Sequence, residues 1–148
     1  MTDVKPDHIM ALLGTLLDSL RRDLVGAIAS VADPPVLREV RMSHIRMLSL
    51  TPPDGMRVSD LADRIGMTKQ ALGEFATTLE RLGLVESVRD PADRRVRIVR
   101  PTPLGRRVAE TGTALIGEVE TAWRERVGDR DWDRLRSLLV TVEARGRA

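Results

Sequence analysis

The chain has 148 residues, 42% of them apolar, with 24 basic against 22 acidic side chains and no cysteine. That is enough for one domain with its own core, and it excludes disulfides, thiolate metal sites and thiol redox chemistry. No apolar run approaches the roughly 20 residues of a membrane span, and the opening MTDVKPDH lacks the features of a signal peptide, so a cytoplasmic location is expected.

Aromatic residues are only Phe75, Trp123 and Trp132, so the core must be built from Leu, Val, Ile, Met and Ala. Charge is more informative by position than in sum. Only Lys5 and Lys69 are lysines; the other 22 basic residues are arginines. Seven of these lie between Arg89 and Arg107, against two aspartates, Asp90 and Asp93. A focused basic patch of this kind suits a polyanionic partner.

In chain order, a first helix is expected from Pro6 or Asp7 to about Ser30. Ile9, Leu13, Leu16, Leu17, Leu20, Leu24 and Ile28 form its stripe. The Leu-rich stripe suits packing both within the subunit and against a second one. Ala32-Asp33-Pro34-Pro35 breaks it. A second helix, in one or two pieces, spans Val36 to Leu50, with Ser43 a candidate cap for its later part. Thr51 to Gly55 is a loop, and Met56 to Val58 suit a short strand.

A short helix from about Ser59 to Ile65 is expected to stop at Gly66. Thr68 suits the N-cap of a helix from Lys69 to Leu82, whose inner stripe is Leu72, Phe75, Ala76, Leu79 and Leu82. Gly83 stops it. Leu84 to Arg89 and Arg95 to Arg100 then read as antiparallel strands around an Asp90–Arg94 turn. In the second strand, Val96 and Ile98 alternate with Arg95, Arg97 and Val99, which predicts one face packed on the helices and one cationic face. Thr102 and Pro103 open a long helix to about Val127. Gly112 and Gly117 weaken it in isolation. Gly128-Asp129-Arg130 separates a final helix from Asp131 to about Ala144. The carboxylates Asp129, Asp131 and Asp133 read as helix-start residues.

This order predicts a mainly α fold with a small antiparallel hairpin: a winged helix-turn-helix, a device for holding duplex DNA. Residues 36–103 would form the winged lobe. Residues 6–35 and 104–148 would supply dimerisation helices within the same single domain. The exposed face of the Lys69 helix has the chemistry that a major groove about 12 Å wide can accept. Thr68 and Lys69 reach phosphates, Gln70 suits adenine, Glu74 suits the cytosine amino group, and Gly73 permits close approach; Thr77 shares the face. Arg89, Arg94, Arg95 and Arg97 supply guanidinium groups in the wing, suited to phosphates or a narrow minor groove. Asp93 is placed to hold Arg94 or Arg95 in a bidentate pair.

The chain resembles the multiple antibiotic resistance regulator (MarR) family. The residues that carry this are Leu61-Ala62, Leu79-Glu80-x-x-Gly83-Leu84-Val85, Arg89-Asp90-Pro91-x-Asp93-Arg94-Arg95 and Val99-x-x-Thr102-x-x-Gly105. The likeness runs from about Arg38 to Ala109, and the wing followed by Thr-x-x-Gly is its specific part. Pro101 departs from it, since the family usually has Leu there. The resemblance implies a homodimer with interlocked first and last helices. It implies a repressor or activator of nearby genes on a pseudo-palindromic operator, often released by a small phenolic or anionic ligand. Its effector pocket would fall near His44, Arg46 and Met47, with Trp123 in its lining.

No metal-ligand spacing, nucleophile constellation or phosphate-binding Gly loop is present. Neither an enzyme nor a cofactor is expected. Two other readings stay open on sequence alone. One is a winged-helix protein-interaction module; the other is a small-molecule-binding protein without DNA binding.

Overall fold

In the computed structural model, which describes residues 8–31 and 33–146, the elements follow in the expected order. They are α1 (Ile9–Ala29), a 3-10 turn (Pro35–Glu39), α2 (Met42–Leu50), β1 (Met56–Arg57), α3 (Val58–Ile65), α4 (Lys69–Arg81), β2 (Val85–Arg89), β3 (Arg97–Pro101), α5 (Pro103–Val127) and α6 (Asp129–Gly146). The fold is mainly helical with a three-stranded antiparallel sheet in the order β1-β3-β2. It is a winged helix-turn-helix.

Local chemistry accounts for most boundaries. The ring of His8 caps α1, its Nδ1 accepting from the Ala11 amide at 3.1 Å. The expected starts at Pro6 and Asp7 lie outside the described residues, as does Ala32 of the break that follows. Gly66 ends α3 at φ 78°, a left-handed conformation that glycine adopts without a Cβ clash. Thr68 caps α4 by accepting from the Ala71 amide at 3.1 Å. The second helix does come in two pieces, but Ser43 does not cap the later one. The N-cap is Arg41, and the His44 Nδ1 accepts the Arg41 amide at 3.2 Å. The last break is narrower than expected. Gly128 alone interrupts the helices, and Asp129 and Arg130 already belong to α6.

The core joins α2, α3, α4, the sheet and the first half of α5. Leu37, Ile45, Met47, Leu61, Leu72, Leu79, Leu84, Val99 and Val108 are its largest fully buried side chains. Burying each leucine contributes about 1.5–3 kcal/mol. Further from this centre, burial falls away. The N-terminal half of α1 and all of α6 leave large apolar side chains in the open, among them Ile9, Met10, Leu138, Leu139 and Val142.

Four elements are knotted at Leu84, just past the end of α4. The Leu84 amide donates to the Leu79 carbonyl at 2.8 Å, and its own carbonyl accepts the Thr102 amide at 3.0 Å. The Thr102 hydroxyl donates to the Gly83 carbonyl at 2.6 Å and accepts the Gly105 amide at 3.0 Å, so it caps α5 as well. The start of α5 then presses on the residue just before β2 so closely that a Cβ on Gly105 would stand 1.8 Å from the Leu84 oxygen. Backbone, not a flexible side chain, fills that space.

The Gly105→Ala substitution is therefore expected to destabilise the fold by about 3 kcal/mol, as overpacking against a fixed group does. Urea unfolding measures this. Wild-type stability would show that β2 can retreat from α5.

Candidate nucleic-acid interface

The helix-turn-helix presents one polar face. Leu72, Ala76 and Leu79 of α4 point inward and are fully covered, which turns the opposite side of the helix to solvent. Thr68, Lys69, Gln70, Glu74 and Thr77 are all exposed, and Gly73 beside them is partly exposed. Nothing lies within 4 Å of where a Gly73 Cβ would be, so that position is open on its outer side. The Thr77 hydroxyl is committed to the Gly73 carbonyl at 2.9 Å. Thus the residues expected on one helix face do share it, with the cap and the free amides at its leading end.

The wing differs from expectation in three ways. Strand β3 turns Val99, not Ile98, into the core: Val99 is fully buried while Ile98 is half-covered. Alternation then puts Arg97 on the helix side with Val99, and Ile98 and Arg100 outside. The faces are therefore not one apolar and one cationic. The reason is that β3 is the central strand and its inward set is chosen by packing on the helices. Arg97 is drawn toward α4, where its Nη2 donates to Glu80 Oε2 at 3.0 Å and its Nε to Ser87 Oγ at 2.7 Å. Glu80 also accepts the Ser87 amide at 3.1 Å. Arg97 braces the wing on α4 rather than projecting from the tip.

Second, Asp93 makes no bidentate pair with Arg94 or Arg95. Its Oδ1 accepts the Arg95 backbone amide at 3.0 Å, a local turn bond that needs no guanidinium. Third, the wing carboxylate that does hold an arginine is Asp90. Arg57, from β1, donates to Asp90 Oδ2 through Nε at 3.0 Å and Nη2 at 2.7 Å. Asp90 is buried, and its Oδ1 accepts the Ala92 amide at 2.9 Å. That amide first, and then Arg57, hold the carboxyl below its ordinary range against the cost of burial. Sequence reading placed Asp90 in the turn but had no signal for Arg57, which lies 33 positions away.

The basic cluster is thus sorted. Arg97 pairs with Glu80, Arg100 with Glu86 and Arg107 with Asp33. Arg89, Arg94 and Arg95 are exposed and form no ion pair among the described residues. The Arg106 guanidinium, on α5, donates only to the Pro101 carbonyl at 3.3 Å among the described residues, so the other cations of the cluster without an ion pair are those of the wing.

A groove of about 1010 Å³ opens between α1, α2 and α5, lined by Leu24, Val25, Ile28, Met42 and Ile116 with Arg21, Arg41 and Arg46 at polar positions. Of the expected effector residues only Arg46 lines it. His44 and Met47 are buried in the core. The His44 ring meets Phe75 of α4 edge-on, with centroids 4.9 Å apart. Trp123 lies elsewhere, donating from Nε1 to Asp23 Oδ2 at 2.8 Å with the Arg126 guanidinium 4.6 Å above its ring. Among the described residues no cluster of three or more His, Asp or Glu is set to hold a metal, and no helix is long and apolar enough to cross a membrane.

Comparison with known proteins places this geometry. Residues 45–96, from α2 to the turn of the wing, match the model of the MarR family. No curated protein matches the sequence. Solved structures match almost end to end. A MarR-family transcriptional regulator from Rhodococcus sp. RHA1 is 21% identical, with 95% of this chain and 96% of that one covered at a TM-score of 0.72. The PcaV transcriptional regulator of Streptomyces coelicolor, solved with its natural ligand, is 21% identical over 97% and 98%, also at 0.72. The S. aureus MepR–DNA complex is 15% identical over 94% and 98%, at 0.77.

Burial, and then the charge of Arg41, push the His44 imidazole below its ordinary value. The unfolded chain therefore binds a proton at about pH 6.5, where the folded one does not. Stability is expected to fall as the pH drops below that point, and to level off only once the folded group titrates too. Unfolding of wild type and His44→Asn from pH 7.5 to about 5 checks this: the pH slope should flatten in the variant.

Proposed function

We propose that the chain is a member of the MarR family, whose model matches residues 45–96, and that it is a homodimeric, sequence-specific repressor acting on a pseudo-palindromic operator in the cytoplasm. The observation that carries this is the presence, in one lobe where Arg97 braces the wing on α4, of an exposed polar helix face and a wing tip whose arginines form no ion pair among the described residues. α4 would enter the major groove, with Gln70 and Glu74 at base edges and Thr68, Lys69 and Thr77 near phosphates. Arg89, Arg94 and Arg95 would follow the flanking backbone or minor groove, their turn held by Asp93. Gly73 leaves room for close approach. Arg97 would contribute through its brace on α4.

The exposed apolar faces of α1 and α6 support the dimer. Monomeric proteins seldom leave such patches open, and a second copy would cover them and set two lobes about one helical turn apart. The groove between α1, α2 and α5 supports release by a small organic anion: apolar walls with three arginines suit a phenolic acid or a similar carboxylate.

Two measurements test these readings. In anisotropy titrations against a selected duplex, Arg95→Ala should weaken binding to every sequence and reduce the salt slope by about one. Gln70→Ala or Glu74→Ala should change the preferred bases, by about 1–3 kcal/mol per lost contact. Wild-type behaviour in all three at every salt concentration would exclude DNA recognition by this face. Independently, Leu139→Arg on α6 should shift sedimentation from dimer to monomer and lower operator affinity; a wild-type monomer would exclude the twofold arrangement.

A further inference from the structure

We propose that Arg57 is a positioning residue for DNA: it occupies and neutralises Asp90, and so keeps the wing-tip arginines free for the polyanion. This rests on the DNA-binding reading above. Asp90 is a nearly buried carboxylate at the root of a cationic hairpin, within the same turn as Arg89, Arg94 and Arg95. Its amide donates to the Val96 carbonyl at 3.0 Å and its Oδ1 takes the Ala92 amide, so the residue closes the hairpin and cannot leave. An ionised carboxylate in that place has two effects unless it is matched. It repels phosphate, and it captures the nearest guanidinium of its own wing.

The structure supplies the match from outside the hairpin. Arg57 ends β1 and is the N-cap residue of α3, and its Nε and Nη2 both reach Asp90 Oδ2. β1 itself lies beside β3, with Arg57 opposite Ile98, so the guanidinium reaches past the central strand to Asp90, just past the end of β2. One residue thus begins the helix-turn-helix and clamps the wing. With Asp90 engaged, Arg89, Arg94 and Arg95 have no ion-pair partner among the described residues. Arg57 acts through Asp90, not by touching DNA.

A double-mutant cycle separates these roles. The variants are R57M, D90N and R57M/D90N, titrated against one duplex of about 30 base pairs selected from a random pool by the wild-type protein, long enough for two half-sites. R57M should bind about tenfold more weakly and lose about one unit of salt slope, because one wing arginine turns back to Asp90. Adding D90N should restore most of the affinity and the slope, since an Asn side chain keeps the acceptor for the Ala92 amide without the charge. R57K, with a smaller defect, and thermal unfolding of every variant distinguish loss of fold from loss of positioning. R57M binding like wild type would overturn the proposal. An equal R57M defect in the D90N background, as an independent phosphate contact would give, would also overturn it. A wild-type protein that selects no duplex would overturn the DNA-binding reading as well.

Discussion

The backbone contact between Gly105 and the Leu84 carbonyl is the constraint on which the other features depend. It leaves no room for a side chain, so α5 starts at one distance from β2. The end of α4, the start of β2 and the end of β3 meet at the same point through Gly83, Leu84 and Thr102. α4, the wing and the long helix α5 therefore share one junction. This gives the Leu-x-x-Gly-Leu-Val and Thr-x-x-Gly pieces a physical content. The first ends α4 and enters β2; the second caps α5 and removes the Cβ that would separate them.

Around that junction the arginines divide by role. Those near the base of the sheet are consumed in braces: Arg97 with Glu80 and Ser87, Arg100 with Glu86, Arg57 with Asp90. These pairs are partly exposed, and exposed pairs add little to stability, about 0–1 kcal/mol. Their effect is geometric. The Arg97 pair ties the wing to α4, and the pairs together leave Arg89, Arg94 and Arg95 as the wing arginines without an ion pair among the described residues.

The groove and the helix-turn-helix are also physically continuous. The first turn of α2 contributes Arg41, Met42 and Ser43 to the groove wall. The next residue, His44, turns into the core, bonds back to the Arg41 amide and meets Phe75 on the inner side of α4. A change in the groove wall thus has only one packed layer to cross before it reaches the helix that carries Gln70 and Glu74.

What was legible in the sequence was whatever depends on neighbours in the chain. Thr68 and Thr102 cap helices through bonds three residues away, Gly66 ends a helix by its own φ, and the period of α4 follows from Leu72, Ala76 and Leu79. The exposed polar face of α4 followed from the same periodicity. Long-range choices were not legible. Which face of β3 turns inward depends on its central place in the sheet, so Arg97 joined the core side against expectation. Arg57 found Asp90 only because β1 is laid beside β3. His44 and Met47 went to the core rather than the groove because α2 is packed on two sides, and Trp123 turned to Asp23, 100 positions earlier. Local bonds are encoded by spacing; ion pairs, strand faces and cavity walls are settled only when distant segments compete for the same interior.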